Sequence, residues 1–288
     1  MKPAPFDWHT PGSIEEALAL KARFGEEARF LAGGQSLVPA MNFRVAQPAV
    51  LVDLNRVVGL DAILAEADGT LSIGAMARNA RVERDATAGN HPILAEALHE
   101  VAHPQIRNRG TLGGNLSHAD PASEMPAVML ALDARFVLRS ARGARDMPAA
   151  SFFLAPLTTA LEPDEMLAEI RIPALPRGAG TAFLEVARRR GDYAMMGVAA
   201  MVARDADGVC TAARLAFCSA GPTPMLAPRA SAALVGTRLT EADIAAAADL
   251  ARQEVEPMGS VQASPAYQRH LAGVVAARAL RLAWERAA

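Results

Sequence analysis

Arg29-Phe30-Leu31-Ala32-Gly33-Gly34-Gln35-Ser36-Leu37 reads as a short apolar strand, Arg29 to Ala32, a Gly-Gly turn, and the entry to a helix around Leu37 to Phe43. Glycine lets a backbone turn sharply and approach a neighbour without a Cβ clash. A helix N-terminus offers unpaired N–H groups and the positive end of a dipole, a seat for phosphate. Gln35 and Ser36 add side-chain donors. Taken alone, strand–Gly-Gly–helix turns are common. The stretch carries neither Gly-x-x-x-x-Gly-Lys-Ser/Thr nor Gly-x-Gly-x-x-Gly, so it supports neither a Walker loop nor a Rossmann dinucleotide site.

Working outward, a helix is predicted as the first element, capped by Ser13 with Glu16 at the reciprocal capping-box position. Val50-Leu51-Val52-Asp53-Leu54 reads as another buried strand, so strand–helix–strand alternation predicts a small βαβ-like unit with a parallel sheet. Beyond Gly69, Leu71-Ser72-Ile73 alternates like a half-exposed strand, and Pro92 opens a helix running to Ala102. Further helix is expected from about Glu124 to Leu132, a strand from Arg135 to Arg139, and a closing strand from Leu167 to Ile172.

A second loop, Arg109 to Asn115, follows His103-Pro104-Gln105-Ile106-Arg107-Asn108 and leads into Ser117, Asp120, Pro121 and Glu124. So many amides, hydroxyls and carboxylates between two apolar helices must be satisfied by a polar ligand or by an elaborate network of their own. His103 reads as a loop hydrogen-bonder, with no second histidine at metal-ligand spacing.

Pro173 to Gly180 is the linker candidate. After it, Val198 to Ala203 and Val209 to Ser219 flank Asp207-Gly208, a tight-turn signal, and two helices opened by Thr240 and by Ser264-Pro265 finish the chain. The resulting expectation is a mixed α/β domain to about residue 175, then an antiparallel sheet with helices.

Composition narrows the function classes. The chain has 288 residues, 51% hydrophobic content and a formal net charge of −2, so no basic field favours nucleic acid or an anionic membrane. No secretory h-region and no apolar run of membrane-spanning length occurs. The two cysteines, Cys210 and Cys218, cannot supply the usual four ligands of an iron–sulfur cluster. A cytoplasmic location is the expectation.

Ala32-Gly33-Gly34-Gln35-Ser36 together with Thr111-Leu112-Gly113-Gly114-Asn115 resembles the two FAD-contacting motifs of the flavin subunits of the xanthine dehydrogenase and carbon monoxide dehydrogenase family of molybdenum hydroxylases. Arg189-Arg190-Gly191-Asp192-Tyr193-Ala194 with Val198-Ala199-Ala200, and Ser264 through Leu280, are similar to two further family segments. The resemblance runs from about residue 6 to 285 in the family's order.

It implies an α+β fold: a two-subdomain FAD-binding domain of the PCMH/vanillyl-alcohol-oxidase type over residues 1–175, with subdomains of about 1–56 and 57–175. A C-terminal antiparallel sheet with helices, like the carbon monoxide dehydrogenase flavoprotein C-terminal domain, would occupy 178–288. Ala32, Gly33, Gly34, Gln35 and Ser36 would wrap the FAD pyrophosphate, with Thr111, Leu112, Gly113, Gly114 and Asn115 on the opposite side. Asp120 and Leu167 would lie beside the cofactor. Glu124 stands where the family commonly carries a sugar-binding Asp, Glu185 where it commonly carries Lys, and Tyr193 where a residue covers the flavin.

No metal site and no catalytic side chain are implied, since FAD carries the chemistry. The [2Fe–2S] clusters and molybdenum cofactor would reside in an iron–sulfur small subunit and a molybdopterin large subunit, in a dimer of heterotrimers. The competing readings are a self-sufficient FAD-dependent oxidase or reductase, and a non-enzymatic nucleotide-binding scaffold.

Overall fold

The computed structural model describes residues 1–85 and 87–288. Its first layer holds β1 (Asp7–His9), α1 (Ile14–Phe24), β2 (Ala28–Leu31), α2 (Leu37–Asn42) and β3 (Val50–Asp53). The sheet order is β1-β3-β2 and both pairings are parallel. The βαβ-like unit is therefore present, but the first element is a strand rather than a helix. Ser13 caps α1 by accepting from the Glu16 N–H at 3.1 Å. The Glu16 carboxylate accepts from Gly12 N–H (2.8 Å) instead of Ser13 N–H, so the expected box is displaced by one residue.

The second layer begins with β4 (Ile63–Ala65), β5 (Leu71–Gly74), α3 (Asn79–Val82), α4 (Pro92–Glu100), α5 (Pro104–Arg107), α6 (Leu112–His118) and α7 (Glu124–Ala131). It closes with β6 (Arg135–Ser140), β7 (Gly143–Pro148), the small hairpin β8 (Phe153–Ala155) and β9 (Thr158–Thr159), and β10 (Met166–Ile172). Five strands form an antiparallel sheet in the order β4-β5-β10-β6-β7. β10, the last strand of this layer, is present as expected and lies at the centre of the sheet. One expectation is corrected here. β5 is buried along its whole length, because Ser72 donates its hydroxyl to Glu169 on the neighbouring strand and so is not left unpaired.

The third layer holds β11 (Ala179–Val186), β12 (Met196–Arg204), β13 (Cys210–Cys218), β14 (Met225–Leu226), α8 (Pro228–Leu234), α9 (Glu241–Glu254) and α10 (Pro265–Arg286). Its antiparallel sheet runs β11-β12-β13-β14. From Met196 to Ala203 β12 is buried on both faces. Val198 and Ala200 point into a core shared with α9 and α10, whereas Ala199 joins the core of the second layer. The free cysteines Cys210 and Cys218 are both buried.

Two helices, α4 and α7, join the second and third layers. All eight residues of α7 are buried, as its apolar run Met125 to Ala131 requires, since a helix apolar all round must be covered all round. It packs against α4, β12 and β13. Across the same contact Ser219 N–H donates to the Pro121 carbonyl at 2.7 Å, and Arg286 pairs with Glu96 at 2.5 Å.

The expected linker is not slack. Gly178 adopts φ +74°, and a Cβ there would lie 2.2 Å from the Arg204 carbonyl oxygen. Arg204 N–H in turn donates to the Gly178 carbonyl at 3.1 Å.

Candidate functional site

A cavity of about 730 Å³ opens between the parallel sheet and the five-stranded sheet. Its size lies in the usual range for cofactor clefts. Both glycine motifs line it: Ala32, Gly33, Gly34, Gln35 and Ser36 on one wall, Thr111, Gly113, Gly114 and Asn115 on the other, with Leu167 beside them. A second hollow shares Arg29, Phe30, Ser117, Leu157, Leu161 and Glu165 with it, so the space is long rather than round.

The two motifs do different work. After β2, Gly34 takes φ +73° and the chain turns into α2. Among the described residues the N–H groups of Gly33, Gly34, Gln35 and Ser36 donate to no acceptor of the protein. Four successive free amides on a cavity wall form an anion-binding nest. This suits a pyrophosphate and is what makes the residues fit FAD. Gln35 differs from expectation in part, because its Nε2 folds back onto the Gly33 carbonyl (3.1 Å).

The second motif, a loop by sequence, is helical in the structure from its second residue. Thr111 is the N-cap of α6, and Leu112, Gly113, Gly114 and Asn115 form its first turn. Their N–H groups are committed: Leu112 to Ala77 O, Gly113 to Ala75 O, Gly114 to Thr111 Oγ1 and Asn115 to Thr111 O, at 2.9 to 3.1 Å. Of this motif's amides only the Thr111 N–H donates to no protein acceptor among the described residues, so that side of the cavity offers mainly side chains. Asn115 Oδ1 accepts from the Ser123 hydroxyl at 3.0 Å, which leaves its –NH2 group free. The Leu112 side chain is fully buried in the core, so its part is packing and not contact.

The glycines also act differently from one another. A Cβ on Gly33 would lie 2.4 Å from the Arg109 carbonyl oxygen, and one on Gly113 would lie 2.4 Å from Ala75 Cβ. Both serve close packing of the walls. Two residues that sequence reasoning missed hold those walls together. Arg78 donates to the Arg109 carbonyl and to Asn55 Oδ1, while Asn55 Nδ2 donates to the Ala32 carbonyl at 3.0 Å. No local motif announces such a bridge, because its partners are far apart in sequence. Leu167 is aimed by the bulge that shifts register between Leu167 and Glu169.

Asp120, Glu124 and Tyr193 do not line the cavity but gather beside it, against the third layer. Glu124 is 6% exposed, and burial first, then Asp120 and Glu100, push its carboxyl up to about 7. Glu185 faces it from β11 with both oxygens buried and unpartnered. Burial, then Glu124 and Glu100, raise it to about 8. Tyr193 is 68% exposed as a whole, yet its phenol is raised by local burial and by the adjoining Asp120. Its ring lies open while its hydroxyl end turns toward that carboxylate. His103 packs under Gly191, where a Cβ would meet Nδ1 at 2.6 Å.

A two-sheet cleft with a phosphate nest and an appended antiparallel layer defines a class of flavoprotein, and comparison with known proteins agrees. Residues 4–175 match the family model of the FAD binding domain in molybdopterin dehydrogenase, and residues 181–283 match the carbon monoxide dehydrogenase flavoprotein C-terminal domain. The chain belongs to this family of FAD-binding oxidoreductase subunits. It is 43% identical over its full length to the 6-hydroxypseudooxynicotine dehydrogenase complex subunit alpha of Paenarthrobacter nicotinovorans, covering 97% of that protein. It is 39% identical to the carbon monoxide dehydrogenase medium chain of Hydrogenophaga pseudoflava, with both chains covered completely. A solved structure of carbon monoxide dehydrogenase from that organism superposes with a TM-score of 0.97 at 40% identity, again over the whole of both chains. No helix is long and apolar enough to cross a membrane among the described residues.

Proposed function

We propose that this chain is the electron-transfer flavin subunit of a molybdenum-containing hydroxylase, accepting electrons from [2Fe–2S] centres of a small subunit and passing them to an external acceptor. The observation that carries the reading is the row of free amides from Gly33 to Ser36 in a long cleft between two sheets. Bound FAD supplies reversible one- and two-electron redox chemistry, and the protein supplies position and electrostatics. The amides of Gly33, Gly34, Gln35 and Ser36 bind the pyrophosphate oxygens, with the Thr111 hydroxyl and Asn115 –NH2 opposite. Leu167 excludes water from the cofactor's flank. Asp120, Glu124 and Tyr193 form the rim toward the third layer, where Tyr193 covers an exposed face.

Partners are part of the same reading. Two buried cysteines on one strand cannot ligate a cluster in the four-thiolate manner, so the clusters and the molybdenum cofactor belong to other subunits, in a dimer of heterotrimers. The names of similar proteins, a medium chain and a complex subunit, support an assembly. We place the domain division at 175–178, the subdomain division near 56, and the complex in the cytoplasm.

The test is co-expression with an iron–sulfur and a molybdenum-cofactor partner, then sizing chromatography. A substrate of the complex should bleach its flavin anaerobically while the flavin of the isolated chain stays oxidised. Turnover by the isolated chain would replace this reading with a self-sufficient oxidase.

A further inference from the structure

Asn79 is the first residue of α3, 3% exposed, and lines the cavity together with Thr111, Val101 and Ile106. Its backbone N–H donates to the Gly110 carbonyl at 3.0 Å, which fixes its Cα against the second motif. Its side chain is not satisfied: Oδ1 is buried and has no hydrogen-bond partner. A buried amide with one end unpaired costs about 1–3 kcal/mol, which an apolar side chain of the same shape avoids. Every other asparagine at the cleft has its carbonyl engaged, Asn115 by Ser123 and Asn55 by Arg78.

Resting on the FAD reading above, the geometry points to Asn79 as a cofactor-positioning residue whose amide pairs with a hydroxyl of the sugar or ribityl chain flanking the pyrophosphate. The position selects that group. Asn79 is tied to Gly110, next to the Thr111 hydroxyl in the chain, in a wall that also carries apolar Val101 and Ile106, and the hydroxyl-bearing carbons of FAD join its phosphates to its rings. A hydroxyl both donates and accepts, and the terminal Asn torsion is broad and soft, so either end of the amide can turn to meet it. Pairing with that hydroxyl removes the cost of the unpaired atom.

The experiment compares wild type with Asn79→Leu, which keeps the shape, and Asn79→Ala, which removes the amide without adding bulk. FAD dissociation constants are read by flavin fluorescence on stripped protein, with thermal melts of the apo and FAD-loaded forms. Wild type that fails to bind FAD overturns the underlying reading itself. With wild type binding, both variants should bind FAD about tenfold more weakly. The apo melting temperature of Asn79→Leu should be equal to or above that of wild type. Competition with FMN and with ADP assigns the hydroxyl: weaker FMN binding alone places it on the ribityl chain, weaker ADP binding alone on the ribose. Unchanged FAD affinity, or an apo melt lowered as far as the loaded one, refutes the assignment.

Discussion

Gly33 and Gly110 stand so close that a Cβ on the first would lie 2.7 Å from the Cα of the second. The contact is backbone on backbone, between motifs nearly eighty residues apart, and no rotamer change relieves it. Gly33→Ala should therefore part the two walls and lose FAD. Gly114→Ala should be milder, since its Cβ meets the Thr111 hydroxyl at 2.7 Å, a group that can rotate. Bound flavin per polypeptide after gel filtration decides the order; equal retention contradicts it.

Thr111→Val removes the acceptor for Gly114 N–H while keeping shape. Loss of an N-cap costs about 1 kcal/mol, and here it also frees an amide inside the cleft. The melting temperature should fall by a few degrees, and Thr111→Ser should restore most of it. A variant as stable as wild type would show that the cap is immaterial.

Glu124 and Glu185 give the fold a pH dependence. Both carboxyls titrate at about 7 and about 8 in the folded chain against 4.5 ordinarily. Between 4.5 and those values the unfolded chain has released protons that the folded chain still holds. Their contribution to stability therefore falls as pH rises through that window and levels above about pH 8. Glu185→Gln stays neutral throughout. Its melting temperature relative to wild type should climb from about pH 5 to about pH 9. A constant difference across that range would contradict the buried, unpartnered state of Glu185.

Gly178→Ala tests the junction before the third layer. A positive φ and the Arg204 carbonyl at 2.2 Å both resist a side chain, so the variant should lose more than about 1 kcal/mol of stability. Flavin content of the folded fraction should be unchanged, because the cavity walls run only from Arg29 to Leu167. Loss of flavin without loss of stability would reverse this ordering.

FAD should be held without a covalent bond. Among the described residues His118 is the one histidine in the walls, and no cysteine is there. Acid denaturation should release all yellow colour. Colour that stays on the polypeptide would point to His118 as the attachment atom's owner.

What the sequence discloses depends on how local the signal is. The helices capped by Thr240 and Ser264 were legible because cap and periodicity lie within one turn. The first turn of α6 was not, since Gly-Gly disfavours helix by about 1 kcal/mol per residue. Acceptors at Ala75 and Ala77, supplied by the fold, override that preference. The strand β1, three residues with Asp and His in them, is too short to show a period and exists because β3 offers it a parallel partner. The two glycine motifs that line the cleft were visible in the sequence. The Arg78–Asn55 bridge, the Ser123–Asn115 bond and the unpaired Asn79 were not, because each is a tertiary relation.

The cleft lies on a seam between two separately hydrogen-bonded sheets, so FAD held there as proposed would also fasten one to the other. A ligand that binds only the folded form stabilises it by about 2.7 kcal/mol at a hundredfold excess over Kd. The chain without flavin is expected to open there first and to be the form that proteases cut. In a cell short of riboflavin the abundance of the subunit, and not merely its activity, would then follow the vitamin supply, a dependence that pulse-chase turnover under riboflavin limitation would expose.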